Sequence, residues 1–320
     1  MLLQTLCLSA QTAKIEINSE LKAYILNQGN EKVNSILEKY SDSAGDLEDL
    51  VTLLVSSQIS ESSTFNDIVT ITTDTLNTMV SALDSQSSDT VLALESVSSG
   101  VTKGVIFSSL NNAINVPEAI EAATFATAVT VVDFAIKSDL KLSEIISASA
   151  SGATAGTVEA AVETGVDIDQ SVESAAAGST KGVIYATSYI EDIDLAETIE
   201  ATSSGSSEGA VEASVEAGID VIEAVEASAS GATAGTVEAA VETGVDIDQS
   251  VESAAAGSAE GAEKAASEAG IDPAEVAEAS SSGSAEGLGE ASQEGTTDTI
   301  PIIETPLDDD PSLVQVSPVN

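Results

Sequence analysis

The sequence lacks histidine, tryptophan and arginine, and it has one cysteine, Cys7, among 320 residues. Without histidine, and with a thiol that has no base partner, Ser-His-Asp and Cys-His catalysis and His/Cys metal sites are excluded. A single cysteine cannot form a disulfide within the chain. No glycine-rich phosphate loop follows a predicted strand. We therefore predict that the protein is not an enzyme and carries no cofactor.

Positive charge is also scarce, because nine lysines stand against 54 acidic residues and give a formal net charge of −45. Binding to nucleic-acid phosphates requires Lys and Arg, and an anionic membrane surface would repel such a chain. No run of 18 uncharged apolar residues occurs, so we predict no membrane insertion. We expect a protein partner or self-association, with cations bound loosely at the acidic surface.

The regular feature of the sequence is a pair of glycines four residues apart that returns about every 26 residues. Residues 148–179 also recur unchanged as residues 227–258. A fixed period of this size indicates a repeat array, and the periodic apolar residues favour a folded array over a disordered acidic chain. The pairs are Gly152/Gly156, Gly178/Gly182, Gly205/Gly209, Gly231/Gly235, Gly257/Gly261 and Gly283/Gly287.

Helix boundaries are predicted at fixed positions after each glycine pair. Gly165 and Gly244 lie where a helix would end in a left-handed residue, and Asp167 and Asp246 follow as helix N-caps. Asp272-Pro273 adds a proline at the first position of a helix. The residues Val158, Ala161 and Val162 form one apolar stripe. We predict an all-α fold, an α-solenoid of short helix–turn–helix repeats of about 26 residues, in which the glycines allow neighbouring helices to pack closely.

Three regions follow from composition. Residues 1–46 hold four of the nine lysines and are predicted to form an N-terminal helical cap, in which residues 1–13 are either a remnant of a secretory signal or a plain first helix. Residues 47–295 form the repeat array. Residues 296–320 contain four prolines and three consecutive aspartates, and they are predicted to be a disordered tail.

Two acidic patterns invite functional hypotheses. Glu159 and Glu163 recur as Glu238 and Glu242 and could form an acid/base pair, but a solvated acidic face is the favoured interpretation, because an active site is seldom duplicated along an array. Calcium ions prefer six or more oxygen ligands, and the usual aspartate-rich calcium loop is absent. Weak Ca²⁺ candidates remain in the two Asp-Ile-Asp segments: Asp167, Asp169, Asp246 and Asp248.

Near-identical units suit a protein whose useful property is length, surface or avidity. We therefore predict a non-enzymatic structural or scaffold protein, an elongated acidic rod that spaces, displays or assembles other molecules. Nine to ten repeats stacked in single file at roughly 8–10 Å would give a rod of about 80–100 Å. The alternatives are a binding module whose acidic face holds a basic partner or mimics nucleic-acid charge, and a self-assembling filament subunit. The acidity favours an extracytoplasmic or secreted setting.

Overall fold

A computed structural model of the chain describes residues 44–80 and 90–294. Within these ranges the protein is all-α, as predicted, and contains no strand. The ten helices are α1 (Ala44–Gln58), α2 (Phe65–Val80), α3 (Thr90–Asn111), α4 (Val116–Lys137), α5 (Leu142–Thr164), α6 (Ile168–Thr187), α7 (Leu195–Ala217), α8 (Val221–Thr243), α9 (Ile247–Ala269) and α10 (Pro273–Glu294).

The predicted division of each 26-residue unit into two short helices is wrong. One helix of 20 to 23 residues fills the interval that was expected to hold a hairpin, and each glycine pair lies inside a helix. Gly152 and Gly156, for example, are in the middle of α5. A glycine in a helix interior costs about 1 kcal/mol relative to alanine, so the local preference for a break is real. Tertiary packing at the glycines overrides it.

The predicted helix boundaries are confirmed. Gly165 and Gly244 end α5 and α8 with φ angles of 75° and 76°. Asp167 and Asp246 accept hydrogen bonds from the N–H groups of Gln170 and Gln249, both at 3.0 Å. At Asp272 the same device is shifted by one residue, because the N–H of Ala274 donates to its carboxylate at 3.0 Å and Pro273 occupies the first helical position.

The helices form two layers, because each helix packs most extensively against the helices two before and two after it in the chain. Odd-numbered helices, from α1 to α9, make one layer, and even-numbered helices make the other. From α3 onward the connections between consecutive helices are short, which makes neighbours in sequence antiparallel and places them in opposite layers. Helices within a layer are therefore parallel.

The glycine pairs make the contact within each layer. Gly231 and Gly235 of α8 lie against the backbone carbonyl groups of Glu173 and Ala177 of α6, and a β-carbon at either glycine would overlap those groups. Gly152 and Gly156 of α5 face Glu95 and Ser99 of α3 in the same order. Such proximity suits weak Cα–H···O=C bonds between the helices. The prediction that the glycines serve close helix packing is confirmed.

The composition of the core changes along the array. Around α1 to α4 it contains large side chains such as Leu50, Leu76 and Met79. Around α7 to α10 it consists of Val211, Val225, Val276 and several alanines. Since stabilisation by burial scales with apolar area, each later helix gains less from the hydrophobic effect than an earlier one.

The apolar stripe predicted on α5 is confirmed only in part. Val158 and Ala161 are fully buried, whereas Val162 is 40% exposed. Val162 lies near the end of a helix that is longer than expected. Val132 and Ile136 of α4, which occupy the same two positions, show the same contrast.

Helix α4 is the one helix in the described ranges that is long and apolar enough to cross a membrane by length and composition. Its most hydrophobic window is 72% buried within the protein, and a core helix passes the same test. Residues 1–43 and 295–320 lie outside the described ranges. The predicted N-terminal cap, apart from its last three residues, and the predicted C-terminal tail are therefore not addressed by the structure.

Replacing Gly231 with alanine should lower the free energy of unfolding by about 2–3 kcal/mol, because the new methyl group would overlap the backbone of α6. Gly289→Ala in α10 is the matched control. A β-carbon there meets no atom within 4 Å, so helix propensity should stabilise that variant by up to about 1 kcal/mol. Urea unfolding of the two variants tests this, and equal midpoints would show that the glycine contact does not control packing.

Candidate functional site

Two lysines, one in each layer, each bridge three successive helices of their own layer. Lys103 of α3 forms ion pairs with Glu48 of α1 and Glu159 of α5. Lys181 of α6 does the same with Glu121 of α4, at 2.5 Å, and with Glu238 of α8. Both lysine side chains are largely buried. Each bridge therefore fixes the spacing of three helices through a single cation.

The bridges follow the glycine register. Lys103 and Lys181 each stand three residues after the first glycine of their helix, and their forward partners stand seven residues after the first glycine of theirs. Lys264 of α9 and Glu208 of α7 use the same two positions with the charges exchanged, at 2.7 Å. The fixed position pair shows that the helices of a layer share one packing register.

The protonation of these lysines is set by two opposing effects. Burial alone would lower the pKa of Lys181, since it disfavours the charged ammonium group. The carboxylates of Glu121 and Glu238 outweigh burial and raise the pKa of Lys181 above its usual value. The carboxylates of Glu159 and Glu48 raise the pKa of Lys103 against the opposing effect of burial in the same way. Both lysines are therefore charged at neutral pH and act as structural cations.

An acidic groove of about 460 Å³ lies across the layer of odd-numbered helices. Its lining contains six glutamates and two lysines, with small residues of α5 such as Ser147 and Ala148 between them. The charged side chains come from α3, α5, α7 and α9 and from the residue before α5: Glu95, Lys141, Glu144, Glu197, Glu200, Glu208, Glu260 and Lys264. This set is the acidic groove referred to below.

Burial and repulsion between carboxylates act together on the pKa values in and beside this groove. Burial and the nearby charge of Glu208 raise the pKa of Glu95, and a hydrogen bond from Ser151 opposes the rise. The pKa of Glu212 of α7 is raised by burial and, to a smaller extent, by the charges of Glu208 and Glu95. Since α3 and α7 are separated by α5, these interactions join helices that are not direct neighbours. A cation in the groove would relieve the repulsion.

A second acidic cluster lies on the layer of even-numbered helices. Burial raises the pKa of Glu173 to about 7, and a hydrogen bond and charge repulsion from Glu290 of α10 contribute. Ser230 of α8 opposes the rise by donating a hydrogen bond to Glu173 at 3.1 Å. Glu226 of α8 accepts a hydrogen bond from Ser282 of α10 at 2.5 Å.

The residues singled out in the sequence have structural roles. Glu159 and Glu238 are ion-pair partners of lysines, and their neighbours Glu163 and Glu242 are exposed, so the structure does not assemble them into isolated acid/base pairs. The lysine bridges were missed in the sequence, although the recurrence of Thr-Lys-Gly-Val-Ile at residues 102–106 and 180–184 pointed to them.

The four calcium candidates do not form a common site. Asp167 and Asp246 cap helices, as described above. Burial raises the pKa of Asp169, with repulsion from Asp167, Asp220 and Glu226 adding to the rise. Over the residues that the structure describes, no three acidic, histidine or cysteine side chains come together in a way that could hold a metal ion.

No protein-family model matches the chain, and no curated protein matches it in sequence.

Replacing Lys181 with methionine should lower the free energy of unfolding by about 3–5 kcal/mol, because two partly buried carboxylates would lose their counter-ion. Lys264→Met is the matched control, since that side chain is 57% exposed against 11% for Lys181, and it should cost less than about 1 kcal/mol. Adding Glu121→Gln and Glu238→Gln to Lys181→Met should restore most of the loss. A similar urea midpoint for both single variants would contradict the bridge.

Stability should rise as the pH falls from about 7 to 4.5. Over this window the folded protein binds a proton at Glu173 that the unfolded chain has released, so protonation favours the folded state. The raised pKa values of Glu95, Asp169 and Glu212 act in the same direction.

Glu173→Gln should reduce the difference between urea midpoints measured at pH 8 and pH 5. Glu252→Gln, at the same position of the duplicated segment but exposed, should leave that difference nearly unchanged. If both variants reduced the difference equally, Glu173 would not be the cause of the pH dependence of stability.

Proposed function

We propose that the protein is a non-enzymatic structural scaffold, a two-layer α-solenoid built from 26-residue units of one helix each, with an acidic surface used for display or assembly. The observation that carries the proposal is that one helix sequence packs in the same way in both layers, as α5 in one layer and as α8 in the other. Residues 148–179 cover α5 from its seventh residue onward and about half of α6, and their duplicate covers the same parts of α8 and α9.

The duplicate is displaced by three helices, so it moves from one layer to the other. Val158 and its counterpart Val237 are both buried, as are Ala161 and Ala240. The glycine pairs of both copies meet carbonyl groups in the same way. Each helix is therefore added to the array by nearly the same operation, and this repetition supports a role for the extended surface as a whole.

The two-layer order shortens the particle relative to a single file. Five helices per layer at roughly 8 Å, the short end of helix spacing, advance about 40 Å, and helices of 22 residues at 1.5 Å per residue are about 33 Å long. By this estimate the array from α1 to α10 is a block of similar length and width, about half as long as the rod of about 80–100 Å expected from a single file. Display or assembly then fits the scaffold better than long-range spacing.

The test is small-angle X-ray scattering with light scattering over a concentration series in 0.15 M salt. A scaffold that works as a monomer should keep the mass of one chain, 32.1 kDa, at every concentration. The scattering should match a block of roughly the dimensions above with added mass from the other residues. Mass and length that increase together with concentration would contradict the scaffold and favour the self-assembling filament subunit.

A second candidate function, a binding module for a basic protein segment, is favoured by the acidic groove. Its six glutamates outnumber its two lysines, and the mutual repulsion of Glu95 and Glu208 would be relieved by a partner's ammonium groups. Titration of a lysine-rich peptide, monitored by calorimetry, tests it. Glu95→Gln combined with Glu208→Gln should weaken binding, whereas Glu163→Gln, outside the groove, should not.

A further inference from the structure

The array displays, on α9, a surface that is buried elsewhere in the same molecule. Residues 247–258 of α9 are identical to residues 168–179 of α6. In α6 this sequence is covered by α8, and Val172, Ala176 and Ala177 are buried. The structure therefore contains an internal reference for what the α9 sequence packs against.

On α9 the same side chains have no such cover. Val251 and Ala255 are only half-buried, and Ala256, the counterpart of Ala177, is exposed. Ala177 of α6, by contrast, is covered by α8, because Gly235 of α8 lies against its carbonyl group. The same comparison holds between α7 and α10. Ser207 of α7 is buried and forms a hydrogen bond with Ser228 of α8 at 3.3 Å. Its counterpart in α10, Ala285, is exposed. Together, α9 and α10 repeat the surface of α6 and α7 on which α8 lies.

The occupant of this surface can be specified from the contacts inside the array. Every covering helix from α5 to α10 runs parallel to the covered one and carries two glycines four residues apart. Where a lysine stands three residues after the first glycine, it meets the glutamate whose carbonyl group that glycine contacts, as Lys181 meets Glu121. Glu252 occupies that glutamate position on α9.

The helices that the structure describes offer no unused glycine pair. The glycine pairs of α3 and of α5 to α10 are all packed against the chain's own backbone, so a second copy would have to open its array to offer one. Residues 1–43, 81–89 and 295–320 contain no two glycines four residues apart. The high negative charge of a second copy also opposes self-association at this acidic end.

We propose that the exposed face of α9 and α10 is a docking site for a helix of another protein, one that carries Gly-x-x-Lys-Gly and binds parallel to α9. The site continues an interface that the array already uses between α6 and α8. The glycines allow the partner's backbone to reach the carbonyl groups of Glu252 and Ala256, and the lysine pairs with the carboxylate of Glu252. This assignment adds a partner class to the scaffold and does not depend on whether the acidic groove binds basic segments.

The test uses the full-length chain and a fluorescein-labelled peptide with the sequence of residues 221–243 carrying Ala234→Lys, which creates the motif. Fluorescence anisotropy should show saturable binding with one peptide per chain. Gly231→Leu with Gly235→Leu in the peptide should weaken binding by at least about tenfold, as should Ala256→Leu in the protein. Glu252→Gln should weaken binding of the lysine-bearing peptide by about twofold to fivefold and leave the affinity for the peptide with Ala234 unchanged.

A single helix is only marginally stable in water, so a second format removes that obstacle. The same peptide is fused behind Asn320 through a flexible linker, which raises its effective concentration to the millimolar range. The fusion should have a higher urea midpoint than a fusion with the two leucine substitutions, and Ala256→Leu should abolish the difference. If the two fusions unfold at the same midpoint, the proposed site is wrong.

Two further results would replace the proposed occupant. A mass that increases with protein concentration, and that Ala256→Leu returns to that of a monomer, would assign the face to a second copy. Peptide binding that appears only when the chain ends at Glu294 would assign the face to residues 295–320. Either result would overturn docking of a foreign helix while leaving the monomeric scaffold to be judged by its own scattering experiment.

Discussion

The contact between a glycine pair and the backbone of the next helix in the same layer controls this structure. Because no side chain separates the two helices, the approach is limited by backbone atoms, and the register is set to within one residue. The side chains that interact around the contact then recur at fixed positions. The serine, lysine and glutamate partners of successive helices follow from where the glycines lie, and the acidic surface follows from what is left to face solvent.

The same constraint explains how a chain with a net charge of −45 can pack helices tightly. Small residues leave little room for charged groups inside, so the glutamates lie at the margins of the helix contacts. There partial burial, together with repulsion from neighbouring carboxylates, raises the pKa values of Glu95 and Glu173. The described lysines are few, yet Lys103 and Lys181 each neutralise two carboxylates at once, which places the scarce positive charge where burial makes it most effective.

Much of the fold could be predicted from the sequence, and the failures have a physical cause. Caps are local, so Gly165, Asp167 and Pro273 were identified from neighbouring residues alone. The helix count per unit was wrong because Gly152 and Gly156 resemble a helix break locally, and only their contact with α3 shows why the helix continues. The lysine bridges and the acidic groove join residues more than 50 positions apart. Their positions depend on the two-layer order, which periodicity alone does not determine.

The duplicated segment is displaced by three helices, an odd number, and it therefore lies in the opposite layer from its copy. Because every helix is added by nearly the same operation, a segment of any whole number of helices can be inserted without disturbing the contacts on either side. An even number leaves each later helix in its original layer. An odd number transfers all later helices to the opposite layer, so that a surface feature downstream of the insertion changes sides. Sequence expansion in such a chain can therefore relocate a surface without altering a single residue within it.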